Sequence, residues 1–223
     1  MSKSAAKKPG RFITLEGGEG VGKSTQSKRI ISALEAAGIK AIATREPGGV
    51  PEAEEIRKIL LTGSTDKWDP WSEVLLLNAA RKRHVESLIK PALADGTWVI
   101  CDRFIDSTVA YQGYVKSVGR ENVLAVQQLT LGDFKPDLTL IIDLPTEACL
   151  ERVDRRKGKK DRIESDYHKT HRILRGAFLD IAGQDSERCL VIDGTGNLDM
   201  VTGRILGAIN LRYHLQLKQT KPC

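Results

Sequence analysis

Residues Gly17-Gly18-Glu19-Gly20-Val21-Gly22-Lys23-Ser24 match the pattern G-x-x-x-x-G-K-[ST]. No other stretch of this chain constrains its fold as tightly. Glycines at these positions let successive backbone N–H groups turn inward around phosphate oxygens, where side chains would clash. The motif lies between a short apolar run, Phe12–Glu16 (FITLE), and a helical run from about Lys23 to Ala37 that Gly38 closes. A strand, a glycine turn and a helix in that order aim the helix's positive end at an anion. The loop through Thr25 is therefore expected to bind ATP, with Lys23 reaching the β- and γ-phosphates and the Ser24 hydroxyl ligating Mg²⁺. The spacing G-x-G-x-x-G is absent, which excludes a dinucleotide fold of the Rossmann kind.

Around that motif the chain alternates strands and helices. Lys40–Thr44 (KAIAT), Thr97–Asp102 (TWVICD), Leu138–Asp143 (LTLIID) and Cys189–Asp193 (CLVID) read as further strands. Thr97–Asp102 and Leu138–Asp143 are continuous and β-branched, as strands buried on both faces are. Helices are expected over Pro51–Leu61, over about Trp71–Asp95 with a bend at Pro91 and a stop at Gly96, and over Leu198–Leu217. The fold class is thus α/β: a three-layer α/β/α P-loop fold with a five-stranded, mainly parallel sheet and a short basic lid. In such sheets ligands sit beyond the C-terminal strand ends. The 223 residues suit one domain at 11–218, with the lid at about 152–164 and tails at 1–10 and 219–223.

Charge narrows the partners. The net charge is +6; Lys3, Lys7, Lys8 and Arg11 contribute +4 and residues 150–164 contribute +3, so the rest nets −1. Nucleic-acid binders spread such an excess over a folded face interleaved with aromatics. Aromatics make up only 5% here, and the excess sits in a tail and a loop, which points to a small phosphorylated ligand at least as well as to nucleic acid; no nucleic-acid partner is expected. No apolar run is long enough for a membrane span, and the N-terminal stretch lacks a signal peptide's apolar core. Cys101, Cys149, Cys189 and Cys223 form no C-x-x-C pair, so reduced thiols in the cytoplasm are expected.

A P-loop serves GTPases, motor ATPases and small-molecule kinases alike. The base-reading N-K-x-D of a GTPase is missing, and no apolar strand ends in Asp-Glu as in a motor. Instead one strand ends in Asp102-Arg103, an acid and a base suited to Mg²⁺ and a second phosphate. That favours a kinase.

Thr44-Arg45-Glu46-Pro47-Gly48-Gly49, Asp102-Arg103-Phe104 followed by Ser107-Thr108-Val109-Ala110-Tyr111-Gln112-Gly113, Pro136-Asp137-Leu138-Thr139 and Asp161-Arg162-Ile163-Glu164 stand in the chain in that order. Together they resemble the bacterial thymidylate kinases, from Phe12 to about Asp193. The resemblance implies transfer of the ATP γ-phosphoryl to dTMP, with Mg²⁺, in a homodimer. It implies that Glu19 accepts from the deoxyribose 3′-hydroxyl, the alternative being a solvated loop acid. Arg45, Arg57 and Arg103 would hold the acceptor phosphate by charge-assisted bonds, unless Arg57 merely pairs with Glu54 or Glu55 on its helix. Asp102 would orient the metal or its waters, or else cap the strand end.

By the same resemblance, Arg81 and Gln112 read the thymine edge with Thr108 beside them. Tyr111 packs on the sugar and excludes a 2′-hydroxyl, or is ordinary core. With no arginine in this P-loop, a lid residue (Arg155, Arg156 or Arg162) supplies the catalytic one, and Lys23 and Arg103 complete the set. The acceptor is already an anion, so no general base is needed and His84, His168, His171 and His214 are expected to take no part. One position departs from the family, which commonly has an aromatic ring four residues before this arginine. Here it is Leu77. Affinity is then weaker, or the alignment slips by a residue, or base preference is broader.

Overall fold

A computed structural model describes residues 9–64, 66–149 and 167–220. Five strands form one sheet in the order β2-β3-β1-β4-β5, where β1 is Phe12–Glu16, β2 Ala41–Arg45, β3 Trp98–Asp102, β4 Leu138–Asp143 and β5 Cys189–Asp193. Every pairing is parallel, so the sheet expected to be mainly parallel is wholly so. Helices cover both faces, giving the expected three layers.

The central strands are buried throughout, yet their two faces differ. Ile13 and Leu15 of β1, Ile100 of β3 and Leu140 and Ile142 of β4 pack under α1 (Lys23–Ala36) and the C-terminal helix Leu198–Tyr213, through Ile30, Leu34, Ile205 and Ile209. Phe12, Val99, Cys101 and Ile141 pack on the other side against Phe104, Val109 and Phe178. That second face also carries polar groups: Thr14 and Thr139 share a 2.7 Å hydrogen bond, and Glu16 is fully buried. Continuous β-branched sequence concealed this alternation, because the period of two persists even when both faces are dry.

The helices α2 (Pro51–Leu61) and α3 (Pro70–His84) stand over the edge of the site. Pro51 opens α2 with Glu52 and Glu54 in its first turn, and Asp69 caps α3 by accepting from the Trp71 and Ser72 N–H groups. The expected bend at Pro91 begins earlier: Val85–Ile89 is a π-helical turn leading into α4 (Lys90–Ala94), with the Lys90 N–H bonded to the Val85 carbonyl. Pro91 offers no N–H and its ring crowds the carbonyl four residues back, so the ladder widens in the turn before it. A short helix α5 (Ile105–Thr108), running into a second π-helical turn at Val109–Val115, leads to α6 (Arg120–Leu131). Neither these nor α7 (Tyr167–Gln184) was anticipated from the sequence.

Other boundaries shift slightly. β2 starts at Ala41 and runs to Arg45, β3 starts at Trp98, and α8 (Leu198–Tyr213) ends four residues before Leu217. There His214 takes φ +54° and Leu217 folds back to exchange two hydrogen bonds with the Asn210 amide. Cys101, Cys149 and Cys189 are buried free thiols. Among the described residues no helix is long and apolar enough to cross a membrane. The basic tail at 1–8, the lid at 152–164 and Cys223 lie outside the described residues.

Candidate active site

A cleft of about 320 Å³ opens at the C-terminal ends of β1, β2 and β3. Parallel register explains what meets there: Leu15 pairs with Asp102 and Arg45 pairs with Asp102, so the P-loop, the Asp102-Arg103 step and the end of β2 emerge together.

Gly17, Gly20 and Gly22 have φ of +127°, +72° and +99°, and a Cβ at Gly17 would lie 2.5 Å from the Ile142 carbonyl oxygen. The loop bends back so far that Lys23 Nζ donates to the carbonyls of Gly17 (3.1 Å) and Gly18 (2.7 Å). Burial and the neighbouring Arg103 charge lower the Lys23 ammonium to about 8, against the pull of Asp102, Glu16 and Glu19. An arriving phosphate reverses that balance by adding negative charge. Glu19, Gly20, Gly22, Lys23 and Ser24 line the cleft. Val21 is instead buried under α1, Gly17 and Gly18 border a smaller cavity beside Cys149 and Arg175, and Thr25 is exposed.

Ser24 Oγ donates to Asp102 Oδ2 at 2.6 Å, so the two expected metal ligands face each other. Among the described residues no group of three or more His, Cys, Asp or Glu side chains is placed to hold a metal. Arg103 has φ +71°, a left-handed conformation that turns its side chain out of the strand direction and into the cleft. Its Nη1 donates to the Gly17 carbonyl (3.3 Å) and Ser107 Oγ (3.0 Å), its Nη2 to the Tyr111 hydroxyl (3.2 Å), and the guanidinium lies 5.1 Å from the Tyr111 ring centre. The Tyr111 hydroxyl in turn donates to Glu19 Oε1 at 3.4 Å.

At the other end, Arg45 donates to Glu54 (3.1 Å) and Arg57 to the Pro47 carbonyl (2.8 Å). Arg45 thus forms an ion pair with Glu54, and Arg57 lines the cleft. Arg81 is 2% exposed; its Nε donates to Glu46 and its Nη2 to Thr108 Oγ1. Gln112 donates to Glu73, which also takes two bonds from Lys116. Leu77 forms part of the wall, and Phe104, an aromatic ring that the sequence reading did not place here, lies on the same wall with Arg81 over its face at 5.1 Å. Glu19, Arg45, Arg57, Leu77, Arg81, Arg103, Thr108, Tyr111 and Gln112 therefore share one cleft. Arg152, Arg155, Arg156 and Arg162 lie outside the described residues.

Four residues of the site escaped the sequence reading. Glu46 and Phe104 stood inside quoted motifs with no role given. His84 was expected to take no part; it follows Arg81 by three residues, hence on the same helix face, and contacts Glu46 (3.1 Å). Glu16 sits behind Arg103: its Oε1 accepts from the Phe104 N–H (2.7 Å) and its Oε2 from Ser107 Oγ (2.6 Å). Asp106, held by two bonds from Arg188, lies close by.

Burial, reinforced by the Asp106 charge, pushes the Glu16 carboxyl from 4.5 up to about 8. Between those two values the folded chain keeps a proton that the unfolded chain has lost, so stability from this group falls as pH rises to about 8 and then levels. Glu16→Gln removes the titration. In thermal unfolding at pH 5, 6.5 and 8.5, the variant is expected to gain on the wild type steadily as pH rises. Parallel pH curves would show that Glu16 titrates normally.

The thymidylate kinase family model matches residues 15–205. Proteins named thymidylate kinase are 47% identical over 217 residues in Bradyrhizobium diazoefficiens (95% of each chain) and 49% identical over 211 residues in Rhodopseudomonas palustris (91% of this chain, 90% of that one). Another, from Caulobacter vibrioides, is 47% identical over 206 residues, covering 92% of this chain and 99% of its own. With the parallel five-stranded sheet and the P-loop at its C-terminal edge, these matches place the chain in the thymidylate kinase family.

Proposed function

We propose that this chain transfers the γ-phosphoryl group of ATP to dTMP, giving dTDP and ADP. The observation that carries the reading is one continuous cleft. Lys23, the hydrogen-bonded Ser24–Asp102 pair, Arg45, Arg57, Arg81, Arg103, Thr108 and Gln112 all line it. Cationic donors that line a single cleft suit two phosphorylated ligands meeting end to end.

Catalysis in this reading is positioning and charge neutralisation. The P-loop backbone and Lys23 hold the ATP phosphates, while Arg45, Arg57 and Arg103 orient the acceptor phosphate. Tyr111, held between Arg103 and Glu19, walls the sugar. Glu19 takes the 3′-hydroxyl. Arg155, Arg156 or Arg162 supplies a further positive charge. Ser24 and Asp102 would hold Mg²⁺, which their hard oxygen donors fit; when bound, the ion neutralises phosphate charge. Cytoplasmic location and a homodimer belong to the same proposal. The packed pair α3 and α6, joined by Thr130 and Asn78, exposes Trp71, Leu75 and Leu129, a surface suited to a second copy.

The test is ADP release with Mg²⁺-ATP against dTMP, dUMP, UMP, CMP, AMP, GMP, thymidine and no acceptor. Turnover of dTMP is expected, with dUMP a poor second. Comparable rates for several pyrimidine monophosphates would overturn the narrow specificity and keep the kinase. No turnover with any acceptor would overturn both.

A further inference from the structure

A chain of side-chain hydrogen bonds runs from Arg81 through Glu46, which also lines the cleft, to His84 and Thr44. Glu46 Oε2 accepts from Arg81 Nε at 2.7 Å, and Glu46 Oε1 meets His84 Nδ1 at 3.1 Å. His84 Nε2 meets Thr44 Oγ1 at 2.7 Å. The three central groups are nearly sealed from solvent: His84 is 0% exposed, Arg81 2% and Glu46 5%.

The chemistry orders the protons along this chain. A carboxylate accepting from Arg81 can only accept from His84 as well, so His84 Nδ1 is the donor. In the neutral ring, Nε2 is then left as an acceptor for the Thr44 hydroxyl. The imidazole is thereby fixed at both nitrogens. The second glycine of the Pro-Gly-Gly turn closes over it: a Cβ at Gly49, whose φ is +89°, would lie 2.5 Å from Thr44 Oγ1 and 2.6 Å from His84 Nε2. Glu46 is pinned between a cation and a clamped ring.

Arg81 is held as firmly on its cleft side. Nη2 donates to Thr108 and the guanidinium lies against the Phe104 ring. Its Nη1 is buried and has no acceptor in the protein. A buried donor left over on a residue that lines a ligand cleft selects a ligand bearing an acceptor, and rejects one bearing a donor. Among pyrimidines, a 4-keto oxygen answers it and a 4-amino group does not.

We propose that His84 is a positioning residue for base selection: through Glu46 it holds Arg81 where it favours a 4-keto over a 4-amino pyrimidine nucleotide. The inference rests on the acceptor reading given above. Since the ring bonds of His84 go to Glu46 and Thr44 and not to Lys23, Asp102 or Arg103, altering it acts on acceptor binding and leaves the transfer step in place.

The test is steady-state kinetics of His84→Leu and His84→Asn with dTMP and dCMP. Leucine removes both ring contacts; asparagine keeps an amide nitrogen near the position of Nδ1 and so keeps the bond to Glu46. For His84→Leu, KM for dTMP is expected to rise about tenfold while kcat stays within about twofold. Its dTMP-to-dCMP ratio of kcat/KM narrows by about tenfold. His84→Asn restores most of both. An unchanged ratio in a folded His84→Leu, or a fall in kcat at constant KM, overturns the proposal. If His84→Leu does not fold, Thr44→Val loosens the ring from its other side and must shift KM and the ratio in the same direction; no shift overturns the proposal. Wild-type enzyme that does not turn over dTMP defeats the acceptor reading itself, whereas wild-type turnover with insensitive variants defeats only the role of His84.

Discussion

Arg103→Ala is expected to lower kcat/KM for phosphoryl transfer by about 10³-fold. This guanidinium donates to the P-loop, to Ser107 and to Tyr111 at once, so it ties the P-loop to α5 and the π-helical turn that follows it. Its removal takes away a positive charge and also the contact that fixes Tyr111. Arg103→Lys is expected to recover little, because an ammonium is a point charge and has no planar fork to span these partners. The same variants carry an electrostatic signature. Since Arg103 helps depress Lys23, Arg103→Ala moves the Lys23 ammonium back up toward its ordinary 10.5. The activity limb governed by Lys23 then shifts to higher pH. Kinetics across pH 6.5–9.5 check both effects, and a loss below about tenfold would remove Arg103 from the machinery.

Phe104→Ala is expected to destabilise the fold by about 3–5 kcal/mol. The ring is fully buried, edge-on to Phe12 at 5.0 Å and to Phe134 at 6.4 Å, and it forms the face on which Arg81 rests. Truncation leaves a cavity between the β1 face and the cleft wall. For a chain of this size the loss amounts to roughly 10 °C in Tm. Phe104→Leu keeps most of the volume and is expected to cost about 1 kcal/mol. Since Arg81 loses its support in both variants, KM for dTMP should rise more than kcat falls. Urea unfolding together with kinetics separates the two consequences. Normal stability in Phe104→Ala would mean the ring is not part of the core it touches.

The loss of an aromatic at position 77 takes a different meaning beside Phe104. From the sequence, Leu77 suggested a weakened wall for the base. In the folded chain Leu77 does line the cleft, and an aromatic ring reaches the same wall from the far side of β3. One-dimensional spacing from Arg81 located Leu77 but had no means of bringing in a ring 23 positions later in the chain.

Local chemistry made much of this protein legible in its sequence. The P-loop, its flanking strand and helix, and the parallel sheet follow from residues adjacent in the chain, where spacing alone sets geometry. Helix α2 and strands β1, β4 and β5 could be named for that reason, whereas the nine residues that line one cleft were implied by the resemblance. Long-range pairing had no such signature. Glu46 meets Arg81 across 35 residues, His84 meets Thr44 across 40, and Glu16 meets Ser107 across 91. Each is a polar side chain whose sequence neighbours say nothing of its partner, and each is buried only because the sheet order β2-β3-β1 stacks those segments together. The sequence by itself determined which chemistry this chain can perform, since phosphate binding depends on backbone and charge at fixed local spacing. The tertiary structure alone decided which groups are dry and therefore held rigid, because burial and the hydrogen bonds it enforces arise only when distant segments pack.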